Sequence, residues 1–477
     1  MSAPSHFVSS VGVSVPPESV AGNPQRAARE PRQGIQWLAI GFVAFFLISS
    51  WGPLLLRIQG MYVPELVIGF ILIHLRICYR RIFHDILACI ASPVGVIAAI
   101  WLCSITFFGA MQTGAVVGPY SELRSSLILV YASLYFFQFA GRRAGAPVLL
   151  HRLAMVALCL EFALELFRVL GTTMGWISPA EDQAVYGVGR SSVPAITIAA
   201  AGYLSAQRLN IVALVLVVVI GGVASLGGHR LVLLVTALMA LLVPVVGIRI
   251  LLEAKLARVG ALVAVALVLA VLVMVTAQKG WVTEYLENAS GIRYRLFEKT
   301  QNTLTGLQGG GTLTTMDAGE ESIRVAYLYF VLTHGHRLLL PHGLGSREVY
   351  GQIGGGFEEV AAEFGLDPAN ANTHDTSILY YSYHHGLIAA GLVVIAGLFL
   401  VCRRLVRVAG VADFLMTGIC LTAILAVDLF YPPVPGISLC FMYGGLLGIA
   451  LNPKAFKARS PAGAAMPAAS MRAGGPA

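Results

Sequence analysis

The chain has 477 residues, of which 57% are hydrophobic and only 12% charged, and its mean hydropathy is +0.78. A soluble domain carries about a quarter charged residues, and folding alone would not hide this much apolar surface. Apolar runs of about 20 residues, the length that crosses a hydrocarbon core, account for the excess and predict an all-α polytopic membrane protein.

In chain order, residues 1–35 are polar and proline-rich, with Arg26, Arg29 and Arg32. They read as a disordered cytoplasmic N-terminus. No short apolar core with a small-residue cleavage site precedes the first span, so no cleavable signal peptide is expected. Residues 36–277 hold nine predicted spans, roughly 37–56, 61–76, 87–110, 125–140, 147–170, 193–207, 210–227, 231–249 and 259–277. One large hydrophilic segment, 278–376, follows. Three more spans, 377–401, 411–429 and 436–452, lie within 377–453, and 454–477 is a low-complexity tail. The expected architecture is thus about twelve transmembrane helices with one large loop between spans nine and ten.

The arginines and lysines orient this arrangement. With a cytoplasmic N-terminus, the inward segments receive Arg26, Arg29, Arg32, Arg76, Arg80, Arg81, Arg142, Arg143, Arg152, Arg208, Arg249, Lys255 and Arg258. They also receive Arg403, Arg404, Arg407, Lys454, Lys457, Arg459 and Arg472, making 20 of the 32 basic residues. The short outward connections hold only Arg57, Arg124, Arg168, Arg190 and Arg230. A bias of this kind sets orientation, with both termini inside and the 278–376 loop outside. It also explains the formal charge of +8 without a nucleic-acid partner, since the basic residues form no single patch.

Within the loop, glycine triplets at 309–311 and 354–356 separate its pieces. Between them ESIRVAYLYFVL is apolar nearly all round and reads as a helix on or dipping into the membrane. FEEVAAEFG is a short amphipathic helix stopped by Gly365. About 100 residues without a clear core are expected to pack on the helix bundle. The cysteines, Cys78, Cys89, Cys103, Cys159, Cys402, Cys420 and Cys440, lie in or beside apolar segments. They show neither a disulfide framework nor zinc spacing.

Four outward residues carry candidate chemistry: Arg190, Arg230 at the head of span eight, Arg324 at the start of the interfacial helix, and His374 before span ten. Arginine is disfavoured on this side unless it has a task. A guanidinium binds phosphate in a bidentate manner and stays charged when partly desolvated. A diphosphate on a lipid carrier suits several such groups at headgroup level. The alternative is that each arginine snorkels or anchors a lipid headgroup. His374, in NTHDT, can relay a proton near neutral pH or simply cap a helix. His384 and His385 lie about 100° apart on a helix, so one is expected to face a polar cleft and the other to pack. Glu161, Glu165 and Arg168 stack on span five, and Asp413 and Asp428 bracket span eleven; ionisable groups in spans are functional candidates by default. Asp-x-Asp, Walker A, HExxH and G-x-S-x-G motifs are all missing, which argues against a cytosolic enzyme using nucleotide sugars.

Twelve spans, a large outward loop between the ninth and tenth, and a His-led segment entering a Gly-Leu-Ile helix resemble the O-antigen ligase and O-antigen polymerase superfamily. The stretches that carry the resemblance are HDTSILYYSYHHGLIAAG (374–391), LLLPHGLGS (338–346, a Pro-x-x-Gly-x-Gly turn), ESIRVAYLYF with its arginine, and SLGGHRLVLL. Asp375 stands where the family usually has asparagine. His384 replaces an acidic residue, Gly386 lies one residue late, and Ala389 occupies a common glycine position. The resemblance implies a metal-independent, cofactor-free glycosyltransferase of the bacterial inner membrane. Its active site would lie on the extracytoplasmic face, and a glycan would pass from undecaprenyl diphosphate to an acceptor hydroxyl. Arg230 and Arg324 would hold the diphosphate, and His374 would orient or deprotonate the acceptor. Arg190, Asp375 and His384 would complete the substrate site. The acceptor is either another lipid-linked repeat, for a polymerase of exopolysaccharide, capsule or O-antigen, or lipid A-core, for a ligase. The atypical acceptor-side segment favours the polymerase, which implies a flippase and a chain-length regulator as partners beside membrane lipids. A transporter, such as a lipid-linked glycan flippase, would instead show repeats and midplane binding groups; no internal repeat is visible.

Overall fold

The computed structural model describes residues 79–114, 116–142, 145–174, 192–225, 230–253, 329–345, 377–408, 410–430 and 437–452, with a few positions in 40–45 and 69–77 and Trp176. All secondary structure among the described residues is helical. The α-helices are α1 (Arg80–Ile90), α2 (Pro93–Thr113), α3 (Val117–Arg142), α4 (Gly145–Thr173), α5 (Ser192–Gln207) and α6 (Ile211–Ser225). They continue with α7 (Arg230–Glu253), α8 (Ser377–His385), α9 (Leu387–Val406), α10 (Val411–Phe430) and α11 (Ile437–Leu451). Six of them, α2, α3, α4, α7, α9 and α10, are long and apolar enough to cross a membrane.

Nine of the predicted spans correspond to helices. Spans 37–56, 61–76 and 259–277, and most of the 278–376 loop, lie largely or wholly outside the described residues. Besides the fourth span, which begins at Val117 and not 125, two boundaries differ from expectation for local reasons. The third span begins at Pro93, not 87, because Ser92 caps it by accepting from the Gly95 N–H at 3.2 Å and proline suits the first helical position. Residues 80–90 form a separate amphipathic helix that turns Ile82 and Ile86 inward. The tenth span is two helices, α8 and α9, divided at Gly386, whose φ of +85° a side chain would strain.

α5 is the hub. It packs against α4, α6, α7, α10 and α11, and Ala195, Ile196, Thr197, Ile198, Ala199, Ala200 and Ala201 are all fully buried. Its small residues let neighbours approach closely, as membrane helix pairs require. The same device joins α3 and α11: a Cβ at Gly444 would sit 2.5 Å from the Leu129 carbonyl, and one at Gly448 would overlap the Ser133 carbonyl. Since 444 matches 129 and 448 matches 133, the two helices run parallel. α2 and α9 are peripheral, with only 11% and 6% of their apolar windows buried. Ile97, Phe107, Leu392, Ile395 and Phe399 project outward; so much exposed hydrocarbon is suited to lipid, not water.

Contacts between helices define two ends. At one, Arg249 pairs with Asp413, Gln207 reaches the Thr417 hydroxyl at 3.4 Å, and the Asn452 amide donates to the Phe137 carbonyl at 2.7 Å. His151 joins α4 to α5 there, with Nε2 2.8 Å from the Ser205 hydroxyl and Nδ1 3.4 Å from Arg208. Arg80, Arg81, Arg142, Arg152, Arg403, Arg404 and Arg407 lie at the helix termini of this same end. The opposite end receives the close of α2, the starts of α3, α7 and α11, the close of α10, and α8.

Candidate functional site

At that opposite end a strap, residues 335–345, folds into the bundle beside α8. It begins as a 3-10 turn, Gly335–Leu338, and continues through Pro341-His342-Gly343-Leu344-Gly345 without helix. Gly343 and Gly345 have φ of +90° and +81°, and a Cβ at either would overlap backbone of α2 or α3. Gly109 of α2 reciprocates, since a Cβ there would collide with Leu344. Glycine is thus required twice over, for the left-handed backbone and for the close approach. The Leu344 N–H donates to the Ile105 carbonyl at 3.0 Å, pinning the strap into the wall of α2.

Glu122 organises the polar side of this junction. It stands near the start of α3, is only 5% exposed, and its Oε2 accepts the Gly345 N–H at 2.8 Å and the Tyr380 hydroxyl at 3.3 Å. His384, fully buried on α8, has Nδ1 2.7 Å from the Gly343 carbonyl and 3.9 Å from Glu122 Oε2. A carbonyl can only accept, so Nδ1 carries the proton. The Tyr380 ring lies 4.4 Å from the His384 ring. One carboxylate therefore serves the strap and α8 together, and a buried carboxylate is tolerated only with such donors around it.

His342 forms the second attachment. Its N–H donates to the Tyr383 carbonyl at 3.0 Å, and its ring stacks on Tyr383 at 4.4 Å and 16°. Burial pushes the His342 imidazole below its ordinary range, while the nearby carbonyls of Tyr383 and Leu340 oppose that shift. Beside Tyr380 on α8, Tyr381 lies close to Asp428 of α10, whose carboxylate accepts from the Tyr443 hydroxyl of α11. The backbone at Gly386 closes the arrangement: a Cβ there would lie 2.9 Å from the Leu339 carbonyl. The break between α8 and α9 thus lies against the strap.

Of the residues expected at the site, His374, Asp375, Arg324 and Arg190 lie outside the described residues. Arg230 is the first residue of α7 and so belongs to the same end of the bundle, though its side chain is outside the described set. His384 is at the centre of the cluster. Glu161 of α4 is buried. The six described cysteines are free, and among the described residues no three metal-ligating side chains come together. The sequence reading did not single out Glu122, Tyr380 or His342. Glu122 carried a usable signal, an acidic residue beside an apolar run, but a span drawn from 125 leaves it in a connection.

Comparison with protein-family models finds no matching family, and comparison with curated proteins finds no relative. The fold and the cluster define a class on their own: the described residues are all-helical, with six helices among them long and apolar enough to cross a membrane, and a buried, hydrogen-bonded polar junction closes one end.

Proposed function

We propose that the chain is a membrane glycosyltransferase that moves a glycan from undecaprenyl diphosphate to an acceptor hydroxyl, joining repeat units of an exopolysaccharide, capsule or O-antigen. One observation carries the reading most directly. LLLPHGLGS and HDTSILYYSYHHGLIAAG, two stretches on which the resemblance to the O-antigen ligase and polymerase superfamily rests, meet in one buried cluster through His384–Gly343 and His342–Tyr383. Their meeting point lies at the end of the bundle where α7 starts with Arg230. The gathering of arginines at the other end supports an inner-membrane orientation with the cluster on the extracytoplasmic face.

In this reaction the acceptor oxygen attacks the anomeric carbon while the bond from that carbon to the diphosphate oxygen breaks. The electron pair leaves with the diphosphate, and the hydroxyl proton passes to the His374 imidazole. Charge grows on the leaving group, so Arg230, Arg324 and Arg190 around it stabilise the transition state more than the ground state. A base with an unperturbed pKa near 6.5 suits proton removal at neutral pH. Asp375 hydrogen-bonds the acceptor. His384 acts on the same site by fixing the strap, since its Nδ1 proton is committed to Gly343. The test is in producing cells. His374→Ala and Arg324→Ala should each abolish the polymer ladder on gels with membrane insertion unchanged. Undiminished polymer from either variant contradicts the assigned roles, and glycan appearing on lipid A-core identifies a ligase instead.

A further inference from the structure

α1 lies across the bundle and not along it. Its start meets α3 through Tyr79, whose ring centroid is 5.8 Å from that of Phe139. Its last turn meets α3 through Cys89, whose sulfur accepts from the Gln138 amide at 3.4 Å. The stretch from Tyr79 to Cys89 advances about 15 Å, yet Gln138 and Phe139 are neighbours on α3, so α1 crosses α3. The crossing is at the arginine end, within a turn of where α3 finishes at Arg142. At Ser92, whose hydroxyl donates to the Cys89 carbonyl at 2.6 Å, the chain turns out of α1 and sets off along α2 as a span. A helix crossing the end of a span lies in the plane of the membrane surface.

The faces of α1 suit that position. Successive residues point about 100° apart. Ile82 and Ile86 are buried against the bundle. Leu87 and Ile90, 45% and 47% exposed, make one flank apolar. Arg81 and Asp85 make the opposite flank polar, and Arg80 and His84 are exposed on the ridge between the two. Arg76, exposed just before α1, adds a third guanidinium. Among the described residues Arg76 and Arg81 have no ion-pair partner, and Arg80 donates only to the His84 ring, at 3.4 Å. Other arginines of this end are engaged, Arg249 by Asp413 and Arg208 by His151.

We propose that α1 is a docking surface for anionic phospholipid headgroups in the leaflet at the arginine end. Arg76, Arg80 and Arg81 hold the phosphates, and Leu87 and Ile90 sit among the upper acyl carbons. Charge and geometry together select this occupant. An acidic protein would meet the arginines and leave the apolar flank in water. A membrane surface covers that flank with hydrocarbon and brings the ridge to headgroup level in one arrangement. Each arginine so placed concentrates an anionic headgroup about fivefold. The surface is at the far end from the polar cluster and is independent of the reaction proposed there.

Ala88, exposed on the same ridge as His84, gives a local probe. The full-length protein, with native cysteines removed and a fluorophore on Ala88→Cys, is reconstituted in nanodiscs of phosphatidylcholine. Phosphatidylglycerol or phosphatidylcholine carrying a nitroxide near the top of one acyl chain is added at equal mole fraction, and quenching reads how much of each lies beside α1. Phosphatidylglycerol should be enriched there about fivefold or more. Arg76→Gln, Arg80→Gln and Arg81→Gln together should remove the preference, whereas Arg76→Lys, Arg80→Lys and Arg81→Lys together should keep it. Raising the ionic strength should weaken it with the three arginines in place, since exposed charges are screened by salt. Equal quenching by the two lipids overturns the proposal. So does a preference that survives the glutamine substitutions, or one that salt leaves unchanged.

Discussion

Glu122 illustrates how one buried carboxylate can set the geometry of a membrane-protein site. Its Oε2 accepts from both Gly345 and Tyr380, so Glu122→Ala leaves two buried donors without an acceptor. Each orphaned donor costs about 1–3 kcal/mol. The variant should unfold several degrees earlier in a detergent melt, whereas Glu122→Gln, which keeps an acceptor oxygen, should recover most of the loss. A melt of the alanine variant superimposable on the parent's would remove Glu122 from this role. His342 gives a pH-dependent prediction. Burial holds its imidazole below the usual 6.5, so the unfolded chain binds more protons in the window between the two values. Stability attributed to this group is present above about pH 6.5 and falls as pH drops through the folded pKa. His342→Phe keeps an aromatic ring on Tyr383 and should flatten the acid limb of a plot of melting temperature against pH. An unaltered acid limb would show that other groups set it.

At the level of helices the sequence was most legible. Long apolar runs located nine helical spans because burial in lipid requires continuous hydrocarbon, most ends falling within a few residues. What periodicity could not show was where a helix outlasts its apolar run. α3 begins at Val117, and not at 125, because its first turns lie against the strap at Gly118 and Pro119, and the strap and α8 satisfy Glu122. Nor could it show the break at Gly386, since a single glycine is tolerated in a helix and the left-handed backbone follows from contact with Leu339, distant in sequence. The α3–α11 seam provides a direct check on packing. Gly448→Leu drives a side chain into the Ser133 backbone, and overpacking of this kind costs about 1–3 kcal/mol. Gly391→Leu on α9, where a Cβ meets nothing within 4 Å, should leave the melting temperature unchanged. Equal effects from the two would contradict the close parallel packing.

For the whole molecule, the two ends differ in character: arginines gather at one, and the strap, α8 and the start of α7 gather at the other. The proposed orientation predicts opposite labelling from the two ends. With native cysteines removed, Val116→Cys should react with an impermeant maleimide in intact spheroplasts, and Gly410→Cys only after permeabilisation. The reverse pattern would invert the topology and place the cluster in the cytoplasm. The candidate site was legible in part, through the Pro-x-x-Gly-x-Gly turn and the His-led segment. Its organising carboxylate was hidden because it is separated from both by more than 200 residues. The most direct test of glycosyl transfer is reconstitution of the purified protein in liposomes with a polyprenyl-diphosphate-linked repeat unit and no nucleotide sugar or metal. Elongated glycan together with released polyprenyl diphosphate is the expected result, both lost in Arg230→Ala and His374→Ala. Donor that crosses the bilayer unchanged, with no elongation, would contradict it and mark the protein as a transporter.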